Sequence, residues 1–189
     1  MTISDWIQLI AAAATMILLV TAAITDITRY RIRNVVVYAI VIAFAVGAAF
    51  NFSWPGIAWS VGAGVAMYLL GAGLFAFGLF GGGDVKLIAA MALWTGFADL
   101  QRFLLVMTAA GGLLAIVWLI RRRLQRPAIA NEPASSPNAL SSDAPSSDTP
   151  NHPKVPNRIP YGVAIALAGL DFFVTSVHSP FASLWPWMQ

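Results

Sequence analysis

The sequence predicts an all-α membrane protein, a polytopic bundle of about six transmembrane helices. Hydrophobic residues make up 59% of the 189 residues and charged residues only 10%, with a mean hydropathy of +0.75. A soluble domain has about 25% charged residues and a smaller apolar share. The apolar residues also gather into runs long enough to cross a bilayer, and Lys and Arg lie mostly between these runs.

Each predicted span is a run of predominantly apolar residues, and most approach the length of about 20 residues that a helix needs to cross a bilayer. The spans cover residues 6–25, 35–52, 57–80, 85–98, 101–120 and 159–177. The first is interpreted as a retained helix rather than a cleaved signal peptide, because it is preceded by Asp5 and by no Lys or Arg. The fourth is short and reaches only about 21 Å, so we expect it to enter from a thinned or recessed membrane surface.

The distribution of positive charge predicts the orientation. With the N-terminus outside, ten of the eleven Lys and Arg residues lie on the cytoplasmic side, and only Arg102 lies opposite. This asymmetry is typical of the positive-inside rule. A re-entrant fourth span would instead place the Arg cluster at 121–123 outside. Six crossings are therefore favoured.

Composition also divides the chain and excludes several classes of site. Seven of the eleven prolines lie in 121–158, which predicts a disordered cytoplasmic linker between a five-helix region, 1–120, and a final helix with an outer tail, 159–189. The linker is interpreted as a tether, with a regulatory or partner-binding segment as the alternative.

The absence of cysteine excludes disulfides and thiolate zinc sites. His152 and His178 lack metal-ligand spacing, and a net charge of +3 gives no argument for nucleic acid. We expect no metal and no cofactor.

Asp84 follows three glycines at the point where one apolar run ends and another begins. A charge near the bilayer interior needs a partner, water or a function. Glycines without Cβ let a backbone or a substrate approach closely. The alternative is an ordinary turn in which Asp84 caps a helix N-terminus.

Asp26 lies at the predicted cytoplasmic end of the first helix, on the same membrane face as Asp84. Two carboxylates a few ångströms apart share one proton. The ionised member can deprotonate water while the protonated member polarises a carbonyl, which is the chemistry of an aspartic protease. The alternative for Asp26 is an interfacial ion pair with Arg29 or Arg31.

Three segments carry a resemblance to a known family. Gly81-Gly82-Gly83-Asp84-Val85-Lys86-Leu87 resembles the GxGDxKL signature of the type IV prepilin peptidases, membrane aspartic proteases of the GxGD class. Asp26 followed by Ile32-Arg33-Asn34 is similar to the family's Asp before Ile-Pro-Asn, and Ile159-Pro160-Tyr161-Gly162 resembles its final Pro-aromatic-Gly segment. The resemblance implies a catalytic dyad of Asp26 and Asp84. It also implies that Gly81, Gly83, Lys86, Asn34, Pro160 and Gly162 support the active site or the substrate.

The resemblance further implies the substrates and the compartment. Prepilin or pseudopilin leader peptides would be cleaved at the cytoplasmic face of the bacterial inner membrane. The lack of cysteines and of a large cytosolic loop is similar to the short, peptidase-only branch associated with Flp/Tad pili, without N-methyltransferase activity. Arg33 stands where the family usually has proline, so the resemblance does not predict the backbone geometry of that loop.

Asp171, in the final span, is the other intramembrane acid. We expect Ser, Thr, Tyr or Trp donors in the bundle to satisfy it, although an acid at such depth is a functional candidate. The alternative function is a small ion- or proton-coupled transporter subunit in which Asp84, Lys86 and Asp171 form a relay. Transporters usually show inverted repeats, and none is evident here.

Overall fold

The computed structural model of the protein describes residues 2–29, 32–51, 54–78, 80–124 and 161–178. Its helices are α1 (Ile3–Arg29), α2 (Asn34–Asn51), α3 (Trp54–Ala76), α4 (Gly82–Leu124) and α5 (Tyr161–His178). These ranges contain no strand, so the predicted all-α fold is confirmed. By length and apolarity α1, α3 and α4 can each span a membrane, and α2 and α5 are shorter apolar helices.

Helix α4 joins two of the predicted spans and is broken between them at Gly96. The backbone of Gly96 has φ 56° and ψ −169°, a conformation in the left-handed region that glycine adopts at little steric cost. The break divides α4 into a first segment, 82–95, and a second segment, 97–124. The predicted pieces 85–98 and 101–120 therefore correspond to the two sides of this break.

The chain reverses direction at the break. Tyr161 contacts both Phe80, with ring centroids 5.9 Å apart, and Gly111, where an added Cβ would lie 3.7 Å from the Tyr161 ring. A straight helix would place residues 82 and 111 about 44 Å apart at 1.5 Å per residue. Phe80 and Gly111 can both contact Tyr161 only because the second segment of α4 runs back beside the first.

The core centres on Trp94, in the first segment of α4. Its indole N–H donates to the carbonyl of Ile40 at 3.4 Å, and its ring packs edge-on against Phe44 and Phe173 at centroid distances of 5.7 and 5.2 Å. One side chain thus joins α2, α4 and α5. Helix α1 adds a buried stripe at helical spacing, made of Ala11, Thr15, Leu19, Ala22 and Asp26.

Some observed bounds differ from the predicted spans. Helix α3 ends at Ala76 rather than at 80, because Gly78 takes φ 73° and its N–H bonds the carbonyl of Phe75 at 2.9 Å, a turn that ends the helix. Helix α4 continues to Leu124, into the predicted linker. The rest of that linker, from 125 onwards, lies outside the described residues.

The helices define two ends of the bundle. At the Asp26 end, α1 finishes and α2, the first segment of α4 and α5 begin. At the opposite end, which we call the Gly96 end, Arg102 pairs with Asp171 at 3.2 Å between the second segment of α4 and α5. The prediction that hydroxyl or indole groups satisfy Asp171 was therefore wrong. The second segment of α4 runs antiparallel to α5, so it brings Arg102 to the same level of the bundle as Asp171.

Candidate active site

Asp26 ends the buried stripe of α1 and is only 6% exposed. Its Oδ2 accepts the backbone N–H of Gly162 at 2.7 Å, and the N–H of Val163 also donates to the carboxylate. These donors belong to the first turn of α5, where N–H groups have no partner within the helix. In the part of the chain that the structure describes, no ion pair to Asp26 is found. The alternative pairing with Arg29 is thus not seen, and Arg31 lies outside the described residues.

The position of Gly162 leaves little room for a side chain. A Cβ added there would lie 2.8 Å from Oδ2 and 2.9 Å from Cγ of Asp26, and 3.0 Å from Cδ1 of Ile32. The carboxyl group is buried and held by its donors, so it has little room to withdraw. The close approach of the α5 backbone to the acid therefore depends on the missing side chain.

Asp84 lies in the first turn of α4 and is half-buried. Its carboxylate folds back over Gly81, where an added Cβ would lie 2.8 Å from Oδ2 of Asp84. The N–H of Val85 bonds the carbonyl of Gly81 at 3.1 Å, which closes this first turn. An acid in the first turn also meets the positive end of the helix dipole. Asp84 thus has the helix-start position that the sequence allowed, and its carboxyl group faces the glycine run.

Ile32 lies between the two acidic positions. An added Cβ at Gly83 would be 3.2 Å from Cβ of Ile32, and one at Gly162 would be 3.0 Å from its Cδ1. Gly83 precedes Asp84, and Gly162 is bonded to Asp26. The glycine before Asp84 and the glycine that donates to Asp26 therefore contact the same side chain. The sequence analysis named the Ile32-Arg33-Asn34 segment but gave Ile32 no role.

The segment that carries Ile32 is tied to α4 by a second contact. Nζ of Lys86 donates to Oδ1 of Asn34 at 3.3 Å, so the structure brings these two predicted support residues together. Arg33, at the position where the family has proline, is exposed, and its carbonyl accepts the N–H of Val36 at 3.0 Å to begin α2. Pro160, another predicted support residue, lies outside the described residues.

An apolar cavity opens beside the site. It has a volume of about 240 Å³ and lies between the second segment of α4 and the start of α5, with Phe80 and Tyr161 in its wall. Among the described residues, its lining includes Gly111 and Gly112 and no charged side chain. Apolar groups can therefore occupy the cavity without burying an unpaired charge.

The chemistry available at this end is that of carboxyl groups. Within the described ranges, no cluster of three or more His, Asp or Glu side chains could hold a metal ion. Asp26 and Asp84 are acids on two helices, and each carboxylate lies against the backbone of a glycine. Such a pair can activate water and polarise a carbonyl.

Comparison with known proteins gives one match. The model of the type IV leader peptidase family matches residues 13–120, which is more than half of the chain. The matched range includes Asp26, Asp84 and Lys86, and it ends before α5. No curated protein and no solved structure matches the chain.

Proposed function

Because the chain belongs to the type IV leader peptidase family, we propose that it is a membrane-embedded aspartic endopeptidase that removes the leader peptide of prepilin or pseudopilin substrates. One observation supports the catalytic assignment above the others. Two acids, Asp26 and Asp84, lie at the same end of the helical bundle on two sides of Ile32, and each has its carboxylate against a glycine.

The proposed mechanism uses the two acids as one dyad. The ionised carboxylate takes a proton from water, and the protonated one donates a hydrogen bond to the carbonyl oxygen of the scissile peptide. Water oxygen bonds to the carbonyl carbon, and collapse of the tetrahedral intermediate breaks the C–N bond as the amine leaves with a proton from the dyad. The two titrations belong to the pair, so neither role is fixed to one residue.

The glycines beside the dyad suit a peptide substrate. A peptide bond in a helix is shielded by its own turn and must be extended before water can attack its carbonyl. Gly81, Gly83 and Gly162 add no side chains of their own beside the two acids, so the backbone approaches the carboxylates and Ile32 closely. The apolar cavity beside Tyr161 offers an uncharged surface next to the site.

The proposed topology places the dyad at the cytoplasmic face of the bacterial inner membrane. The N-terminus would be outside, and with the reversal at Gly96 the chain would cross the membrane six times. A substrate with a basic leader in the cytosol and an apolar helix in the membrane would then present its scissile bond at the depth of Asp26 and Asp84. Reporter fusions in the segment 125–158 should be cytoplasmic, and an external location would contradict both the topology and the shared face.

The proposed branch is the short, peptidase-only one associated with Flp/Tad pili, without a methyltransferase domain. The absence of cysteine supports this, because the larger family members carry a zinc-binding cysteine motif. The transporter alternative has no support from the described geometry. Asp171 pairs with Arg102 at the Gly96 end and is separated from Asp84, at the Asp26 end.

Co-expression with a prepilin substrate tests the proposal. The wild type should produce a mature pilin whose new N-terminus is read by mass spectrometry, and Asp84→Asn should not. Asp99→Asn is the matched control, because it removes an acid three residues past Gly96, at the opposite end of the bundle. The proposal fails if the inserted wild type leaves the substrate intact, or if Asp84→Asn cleaves as well as Asp99→Asn.

A further inference from the structure

Helices α1 and α5 run antiparallel and meet at two levels. At the Asp26 end, Gly162 donates to Asp26 at 2.7 Å. Nearer the middle of the bundle, Gly169 lies against Leu19, whose Cδ1 would be 2.7 Å from an added Cβ. Both pairs have a glycine on α5 and a buried residue on α1. The close contact between the two helices therefore extends over both levels.

The two levels are separated by the same distance on each helix. Residues 19 and 26, like residues 162 and 169, are seven apart, which is two helical turns or about 10.5 Å. Residues seven apart share one face of a helix with a drift of only about 20°. A change in the distance between the α1 and α5 axes at the Gly169 level therefore also changes that distance at the Gly162 level.

We propose that Gly169 is a positioning residue for Asp26. It allows α1 and α5 to approach closely enough for the first turn of α5 to hold the Asp26 carboxylate. The inference rests on the proposed function, in which Asp26 belongs to the catalytic dyad. Gly169 itself touches neither acid, since the atoms nearest to an added Cβ belong to Leu19 and Met91.

A side chain at 169 would act on geometry more than on folding. An added Cβ would lie 2.7 Å from Cδ1 of Leu19 and 3.0 Å from Cε of Met91, which are the far ends of flexible side chains. Leu19 and Met91 are both fully buried, so their ends can move only a little within the packed core, and the helix axes of α1 and α5 take up the rest of the shift. The same movement lengthens the bond between Gly162 and Asp26, because that bond depends on how closely the helices approach.

Gly169→Ala is the direct test, measured with purified enzyme and a prepilin substrate in detergent. We expect kcat to fall about 10- to 100-fold with KM within about twofold, because displacing a catalytic group by a fraction of an ångström to one ångström has effects of this size. Gly47→Ala is the matched control. Gly47 is also a buried helical glycine, but an added Cβ would lie at an ordinary 3.7 Å from Cβ of Ala11. Its kcat should remain near that of the wild type.

Three further variants separate positioning from a general defect. The double variant Gly169→Ala/Leu19→Ala removes the Leu19 methyl group that the new side chain meets, so its kcat should return to within about threefold of Leu19→Ala alone. Leu19→Phe enlarges the same contact from α1 and should lower kcat although Gly169 is intact. Thermal unfolding and gel filtration show which variants are folded, and only folded variants are compared.

The outcomes distinguish this inference from the proposed function. A wild type without cleavage activity would contradict the proposed function. An active wild type together with unchanged kcat in both Gly169→Ala and Leu19→Phe would overturn the inference alone. A kcat loss in Gly169→Ala that Leu19→Ala fails to reverse would also overturn it, because the spacing at this contact would then not be the cause. If Gly169→Ala does not fold, Leu19→Phe decides by the same criterion.

Discussion

Asp26 and Asp84 each contact a glycine, but one contact is local in the sequence and the other joins two helices. At each, a carboxylate oxygen lies 2.8 Å from the position of a glycine's missing Cβ. Asp84 is three residues from its glycine, Gly81, in one helical turn and is half-buried. Asp26 is 136 residues from its glycine, Gly162, on another helix and is 6% exposed.

This difference separates local from tertiary organisation in one site. The Asp84 position forms when α4 begins, because the turn from Gly81 to Val85 sets it. The Asp26 position requires α1 and α5 to pack, and its donors exist only at the start of α5. We therefore expect disturbances at the Asp26 position to affect catalysis more than matched disturbances at the Asp84 position.

Alanine at each glycine tests that contrast most strongly. Gly162→Ala should lower kcat about 100-fold, because the buried Asp26 carboxyl group must move off its donors. Gly81→Ala should lower kcat by about tenfold or less, since the half-exposed side chain of Asp84 can rotate away from the methyl group. Both are measured as kcat with purified enzyme.

Protein yield and thermal unfolding serve as controls for these two variants. A larger loss in Gly81→Ala than in Gly162→Ala would reverse the comparison. It would mean that the α4 turn, and not the packing of α1 against α5, limits the geometry of the site.

The contact between Lys86 and Asn34 should have a smaller effect. Lys86→Met removes a hydrogen bond worth about 1 kcal/mol, so cleavage should slow about fivefold. Asn34→Ala should have a similar effect, and the double variant should be no slower than either single one, because both remove the same bond. Multiplying losses in the cleavage assay would show that the two side chains act separately.

The linker should have the smallest effect of all. Replacing 128–151 by a few Gly and Ser residues should leave kcat unchanged, because loop closure changes by only about 0.6 kcal/mol per doubling of length and proline-rich sequence packs little. The arginines at 121–123 are kept in the shortened protein. Lost turnover in a correctly inserted protein would indicate that the segment binds substrate or completes the site.

The sequence predicts the local half of the site better than the tertiary half. Three glycines before an acid at a helix start describe the surroundings of Asp84 without any long-range information. Nothing near Asp26 in the sequence indicates that Gly162 will donate to it, because that contact depends on how α1 packs against α5. The position of Ile32 between the acids depends on packing for the same reason.

A similar limit applies at the Gly96 end. The sequence places the reversal between 98 and 101, close to the observed break, because apolar length and the charge pattern both indicate it. The pairing of Arg102 with Asp171 was missed. The signal was present, since the sequence assigns Arg102 alone among the basic residues to the outer side and places Asp171 in the middle to outer half of the last helix. Their facing positions depend on the antiparallel packing of α5.

The central claim is that Asp26 and Asp84 act as one catalytic unit, and a double-mutant comparison tests it most directly. Cleavage of a prepilin substrate is measured with Asp26→Asn, Asp84→Asn and the double variant, all purified and folded. Each single change should lower kcat by about 10²- to 10⁴-fold, and the double variant should be no slower than the slower single one. Activity near that of the wild type in either single variant, or losses that multiply in the double variant, would contradict the account.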